Sequence, residues 1–184
     1  HMRAEPKDWW RLRSMGDGVT HIDEPHIREF YRCNVWHIRG RDGDMLVDSG
    51  MGVVSLRDYV PLVTERPLQA VASHTHFDHI GCHHEFGCRL CHGAEAHLMR
   101  APTRENTYAD KYVTDDIFTT LPPFGNDRTS GSRPRLPTKI TLFTDPAMKT
   151  SLIPVCPAAC RKLVNKTYKA AVPALQPTPA LTAG

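Results

Sequence analysis

The sequence predicts an α/β domain, a sheet with helices packed on it, and three observations carry that prediction. From residue 33 onward, short apolar runs and helix-spaced runs alternate as strand, strand, helix, strand, short helix, strand, helix. Gly/Asp turns separate the earlier strand candidates. A third apolar run, residues 68–73, leads straight into a cluster of histidine and aspartate side chains.

Taken in order, residues 9–13 and 19–22 flank Met15-Gly16-Asp17-Gly18, the pattern of a β-hairpin. Cys33-Asn34-Val35-Trp36-His37-Ile38 and Met45-Leu46-Val47-Asp48 flank a second polar turn and read as another strand pair. Gly50-Met51-Gly52 releases the chain into residues 53–63, where Val53, Leu56, Val60 and Val63 recur at helical spacing. After Pro67 the run 68–73 reads as a buried strand, residues 88–91 as a further short strand, and residues 94–99 as a helix. Beyond residue 120 periodicity fades, leaving one strand candidate at residues 139–143.

Composition sets the bounds. At 184 residues and 40% hydrophobic, the chain is long enough for one domain with a core and short for two. It shows neither an apolar leader nor a run of about 18 apolar residues, so the cytoplasm is the expected compartment and no membrane partner is expected. His1-Met2 reads as a cloning remnant and is set aside. Six cysteines are then expected as thiols or occasional ligands rather than a disulfide framework. Charge divides the chain: 14 basic against 18 acidic residues up to position 120, and 9 against 2 beyond it. All 11 histidines lie in the first part and ten of 15 prolines in the second. The expected organisation is a domain over residues 9–120 followed by a Pro/Arg-rich segment, 121–184.

His74-Thr75-His76-Phe77-Asp78-His79 places four metal-binding side chains within six residues. Imidazole nitrogen and carboxylate oxygen suit zinc, and a site built this way leaves a position open for water. Such a site lowers the pKa of that water to about 7 and makes a hydroxide nucleophile available at neutral pH. An isolated histidine is usually an ordinary polar residue, but His-x-His-x-Asp-His directly after an apolar strand is a specific pattern.

That pattern resembles the signature of the metallo-β-lactamase superfamily, and other residues agree. Met45-Leu46-Val47-Asp48-Ser49-Gly50 is similar to the family's strand ending in an Asp-Ser-Gly turn, and Gly81 fits the end of the motif. The resemblance implies an αβ/βα sandwich of which the first half is recognisable and the second missing or replaced. It implies that His74 and His76 bind one zinc ion, that Asp78 and His79 bind a second, and that Asp78 orients the nucleophile. Asp48 would support the ligands through hydrogen bonds, where otherwise it is a plain turn residue. The expected reaction is attack of metal-bound hydroxide on a small-molecule ester, thioester, lactone or lactam.

The family completes its site with ligands from a second half, yet no histidine follows His97. Truncation, fusion or a frame change is one reading of residues 121–184, and the chain would then be a non-catalytic metal-binding or partner-binding remnant. A homodimer is one way to cover an exposed sheet. Cys156 and Cys160 could substitute as ligands, but read more simply as ordinary thiols. Cys88-Arg89-Leu90-Cys91-His92 matches the haem-attachment pattern, an electron-transfer reading that needs export. His83 and His84 are expected at the surface, and His92 and His97 as structural residues. The diffuse basic charge of the last segment lacks aromatic platforms, so nucleic acid is not an expected partner. Neither a phosphate-binding Gly-x-x-x-x-Gly-Lys loop nor a Gly-x-Ser-x-Gly elbow is present.

Overall fold

A computed structural model describes residues 2–123 and 152–154. Seven strands form one mixed sheet whose spatial order follows the chain: β1 (Arg11–Gly16), β2 (Val19–Asp23), β3 (Val35–Ile38), β4 (Asp44–Val47), β5 (Leu68–Val71), β6 (Arg89–His92) and β7 (Leu152–Pro154). The first four run antiparallel, β5 and β6 continue parallel to β4, and β7 closes the order antiparallel to β6.

The first hairpin forms where the Gly/Asp turn predicts it. Gly16, Asp17 and Gly18 all have positive φ, the left-handed backbone that lets a tight turn match the strand twist. In the second pair, Trp36 stands opposite Val47, and burial alternates along both strands. Leu46 and Val35 therefore enter the main core with Trp9, Ile22, Ile27, Leu56, Val60 and Ala70. A smaller cluster of Ala72, Ile80, Cys91, Ala96 and Met99 packs separately.

The helix predicted over residues 53–63 breaks in two. Ser55 caps α1 (Leu56–Tyr59) by accepting from the backbone of Asp58, and a 3-10 turn follows over Pro61–Val63. Pro61 lacks an N–H and forces its neighbour out of the helical region, and Val60 accordingly sits at φ −123°, ψ 87°. The metal motif supplies the short α2 (Phe77–Ile80), while α3 (Ala96–Arg100) continues from a 3-10 turn. Helix α4 (Ala109–Tyr112) carried no sequence signal. The strand expected at residues 139–143 and the cysteines at 156 and 160 lie outside the described residues.

Two cysteine readings change. Cys88 is disulfide-bonded, against the expectation of a chain of thiols. Cys91 is fully buried on β6, so this pair does not present two thiols to a haem. Among the described residues no helix is long and apolar enough to cross a membrane.

Candidate metal centre

The parallel strands β4 and β5 both end where the motif begins. The N–H of Asp48 donates to the carbonyl of Val71 at 2.8 Å, and one step on, Ala72 is tied to Leu90 of β6 at 2.9 Å. In open α/β sheets this carboxyl edge is where ligands bind.

Asp48 adopts φ 63°, a left-handed conformation uncommon outside glycine but tolerated by aspartate. That bend aims its buried carboxylate at the motif. Oδ1 accepts from the Ser73 N–H at 2.7 Å and Oδ2 from the Ser73 hydroxyl at 2.7 Å. Oδ2 also lies 2.8 Å from Nδ1 of His79. Burial opposes the charge on Asp48, but its bonds from His79 and Ser73 outweigh burial and hold the carboxyl below its ordinary range.

His79 stands between two carboxylates, with Nε2 3.2 Å from Oδ2 of Asp78. Burial works against its positive charge; Asp48 and Asp78 prevail and push its pKa up to about 12. This is a place of strongly negative potential. His74 packs against His79 with ring centroids 3.9 Å apart and against His76 at 4.4 Å. Burial, with neighbouring His79 and His76, holds His74 below its ordinary pKa and favours the neutral, ligating form. His76 is exposed and His74, Asp78 and His79 are half-buried, so the cluster opens to solvent. Tyr108, itself at φ 63°, sets its ring edge-on to His76 at 4.8 Å.

Sequence-predicted Asp48, His74, His76, Asp78 and His79 are thus brought together, as neighbouring pairs. Among the described residues, the set whose ligand atoms all lie within 4.8 Å of one another is a different one, Cys33, Asp48 and His79. Cys33, read from sequence only as the first residue of a strand, sits ahead of β3, and the antiparallel register of β3 on β4 places it level with the Asp48 turn.

The turn after Asp48 grips α2. Ser49 N–H donates to the His79 carbonyl and Gly81 N–H to the Gly50 carbonyl, both at 2.8 Å. A Cβ on Gly81 would lie 2.1 Å from backbone carbon of Met51, so only glycine fits. His83, expected at the surface, is instead fully buried, its Nδ1 2.7 Å from the Ser49 hydroxyl. Desolvation lowers its pKa to about 4 and keeps it neutral. His84 is exposed as expected, and His92 accepts from Ala94 N–H to cap a turn.

Glu24, which no local signal singled out, lies beneath the same turn. Its carboxylate accepts from Trp9 Nε1 at 2.9 Å and from Met51 N–H at 2.8 Å. Complete burial raises its pKa to about 7 despite those two donors.

Comparison with known proteins adds to this geometry. The sequence model of the metallo-beta-lactamase superfamily matches residues 28–153, continuing past the change of composition near residue 120. The acyl-coenzyme A thioesterase MBLAC2 of Homo sapiens is 35% identical over 104 residues, covering 50% of this chain and 37% of that protein. The Gallus gallus thioesterase of the same name is 34% identical over 125 residues, covering 63% and 44%. The aligned part of this chain thus spans 37–44% of the length of these relatives. Among solved structures, the metallo-beta-lactamase FIM-1 from Pseudomonas aeruginosa, in its mono-zinc form, is 17% identical with a TM-score of 0.38, covering 52% of this chain and 47% of that one. A beta-lactamase domain protein from Burkholderia ambifaria is 18% identical with a TM-score of 0.37, covering 67% and 45%.

Proposed function

The chain belongs to the metallo-beta-lactamase superfamily, and on that premise we propose that it is a zinc-dependent hydrolase of thioesters. The observation that carries this reading is the chain of pairwise contacts, His76 to His74, His74 to His79, and His79 to both Asp48 and Asp78, at the carboxyl edge of the sheet. The thioester is favoured over ester, lactone or lactam by the named activity of the MBLAC2 relatives.

The donor set fits zinc. It offers imidazole nitrogens and carboxylate oxygens, and the two carboxylates flanking His79 make the site attractive to a cation. His74 and His76 would hold one ion, and Asp78 with His79 a second. When bound, zinc supplies a water of lowered pKa and polarises a carbonyl oxygen. Asp48 accepts from Nδ1–H of His79, fixing the ring so that Nε2 faces Asp78. Asp78 would orient the attacking water and accept its proton. Water would then add to the carbonyl carbon, the C–S bond would break, and the proton held by Asp78 would pass to the departing sulfur, giving a thiol and a carboxylic acid that ionises to carboxylate. Exposed His76, with Tyr108 against it, would stand at the substrate's entry.

A zinc-loaded sample of the full chain, assayed against acyl-coenzyme A thioesters, a lactone and a lactam, tests this. Thiol release abolished by a chelator and reduced about 10²–10⁴-fold by Asp78→Ala supports the reading. No hydrolysis above buffer by the loaded protein refutes it. A second reading, metal binding without turnover, is favoured by the incomplete ligand set among the described residues; tightly held zinc with no hydrolysis of any of these substrates would select it.

A further inference from the structure

Glu24 follows β2 and is 1% exposed, an expensive place for an acid. Both of its carboxylate oxygens are engaged. Oε1 accepts from the Trp9 indole N–H at 2.9 Å and Oε2 from the Met51 N–H at 2.8 Å. No step of the hydrolysis described above uses this group.

The bond to Met51 reaches the histidine motif through the turn at residues 48–52, which lies between Glu24 and α2. On one side, a Cβ on Gly50, at φ 72°, would come 2.7 Å from Oε2 of Glu24 and 2.6 Å from the Trp10 ring, so carboxylate and indole press directly on the turn. On the other side, the Gly50 carbonyl accepts from Gly81 N–H and Ser49 N–H donates to the His79 carbonyl. Gly81 packs against the backbone carbon of Met51, the residue whose N–H Glu24 holds. A displacement of the turn is therefore passed to His79 by two routes, the backbone bond from Ser49 and the Asp48 contact at Nδ1. Removing the acceptor would leave the Met51 N–H buried and unanswered, a cost that the turn can escape only by moving.

We propose that Glu24 is a positioning residue for the metal centre: its carboxylate braces the 48–52 turn against α2 and so sets the placement of the His79 ring. The proposal rests on the hydrolase reading, to which it adds a residue outside the histidine motif. Glu24 touches neither metal nor substrate and acts through the backbone of Met51. Two N–H donors need two acceptor oxygens, which a carboxylate supplies; an amide offers one oxygen and turns an NH2 toward the other donor.

Glu24→Leu and Trp9→Phe in the full chain separate bracing from plain stability, since Trp9→Phe cuts only the bond on the oxygen that faces away from the turn. With zinc loaded, Glu24→Leu is expected to lower kcat for thioester hydrolysis about 10–100-fold at nearly unchanged KM. Trp9→Phe should keep kcat close to that of the wild type. The Nδ1–H proton of His79, held by Asp48, gives a second reading that needs no turnover. Its NMR resonance in the metal-free chain should move in Glu24→Leu and stay in Trp9→Phe. Equal losses of kcat in the two variants, or an unmoved resonance in Glu24→Leu, overturn the proposal. Should Glu24→Leu fail to fold, Glu24→Gln takes its place, with a smaller change in the same direction expected and the same results counting against. Failure of the hydrolase reading looks different: no protein, wild type included, releases thiol, while the His79 resonance still distinguishes Glu24→Leu from Trp9→Phe.

Discussion

Asp48 and His79, 31 positions apart, are joined by a 2.8 Å contact between Oδ2 and Nδ1. It links the end of β4 to the metal motif on α2, and the Ser73 bonds hold Asp48 in place to make it. A carboxylate behind a histidine fixes the tautomer and makes the far nitrogen a better ligand.

Asp48→Asn is therefore expected to weaken zinc binding about 10–100-fold. The amide keeps one oxygen to accept from His79, but turns an N–H donor toward Ser73 where an acceptor stood. Competition against a chromophoric chelator measures the affinity. Unchanged affinity in a folded variant would show that Asp48 is only a turn residue.

Glu24 and His83 are expected to pull the pH dependence of stability in opposite directions. Burial raises the Glu24 pKa from 4.5 to about 7, so in that window the folded state holds a proton that the unfolded state has lost, and stability falls as pH rises. Across it the wild type should lose up to about 3 kcal/mol relative to Glu24→Gln. His83, lowered by burial from 6.5 to about 4, does the reverse: the unfolded state gains the proton, and stability falls as pH drops through that range. Urea midpoints of wild type, Glu24→Gln and His83→Phe through these windows check both signs.

Gly81→Ala should cost at least about 3 kcal/mol, or prevent folding. The added methyl meets backbone atoms of Met51, Gly52 and Gly50 at 2.1, 2.3 and 2.5 Å, none of which a side-chain rotation can clear. Gly87→Ala is the control, since nothing lies within 4 Å of its Cβ position. There the change should stay within about 0.5 kcal/mol. Thermal unfolding of the pair reads both.

Ser49→Ala is expected to destabilise by about 1–3 kcal/mol. The hydroxyl is the 2.7 Å partner of buried His83 Nδ1 and accepts from the Cys82 N–H at 3.2 Å. Both groups would remain buried without it. Chemical denaturation measures the loss, and a neutral result would mean that another group has moved in.

Much of the fold was legible because its signals are local. Gly16-Asp17-Gly18 fixes a turn by backbone conformation alone, and alternation in residues 35–38 and 44–47 marks the core face of each strand. Helical spacing over residues 53–63 overreached because Pro61 removes a donor and bends its neighbour, a covalent effect that hydrophobic periodicity ignores. The candidate residues His74, His76, Asp78, His79 and the Asp48 turn were legible as neighbours because they are compact in sequence or end adjacent strands, and the structure brings them together in pairs. Cys33, Glu24 and buried His83 were not, because their roles arise from contacts with segments 27 to 46 positions away. A buried acid or thiol looks the same as an exposed one until the strands are registered.

If the His74, His76, Asp78 and His79 cluster is a zinc centre, the metal should stay with the protein through exhaustive dialysis. Elemental analysis of wild type and of His74→Ala/His76→Ala/Asp78→Ala gives the zinc content per chain. One to two tightly held ions are expected in the wild type, with at least one lost in the folded triple variant. A wild type that retains no zinc, or a variant that retains as much, would rule the zinc centre out.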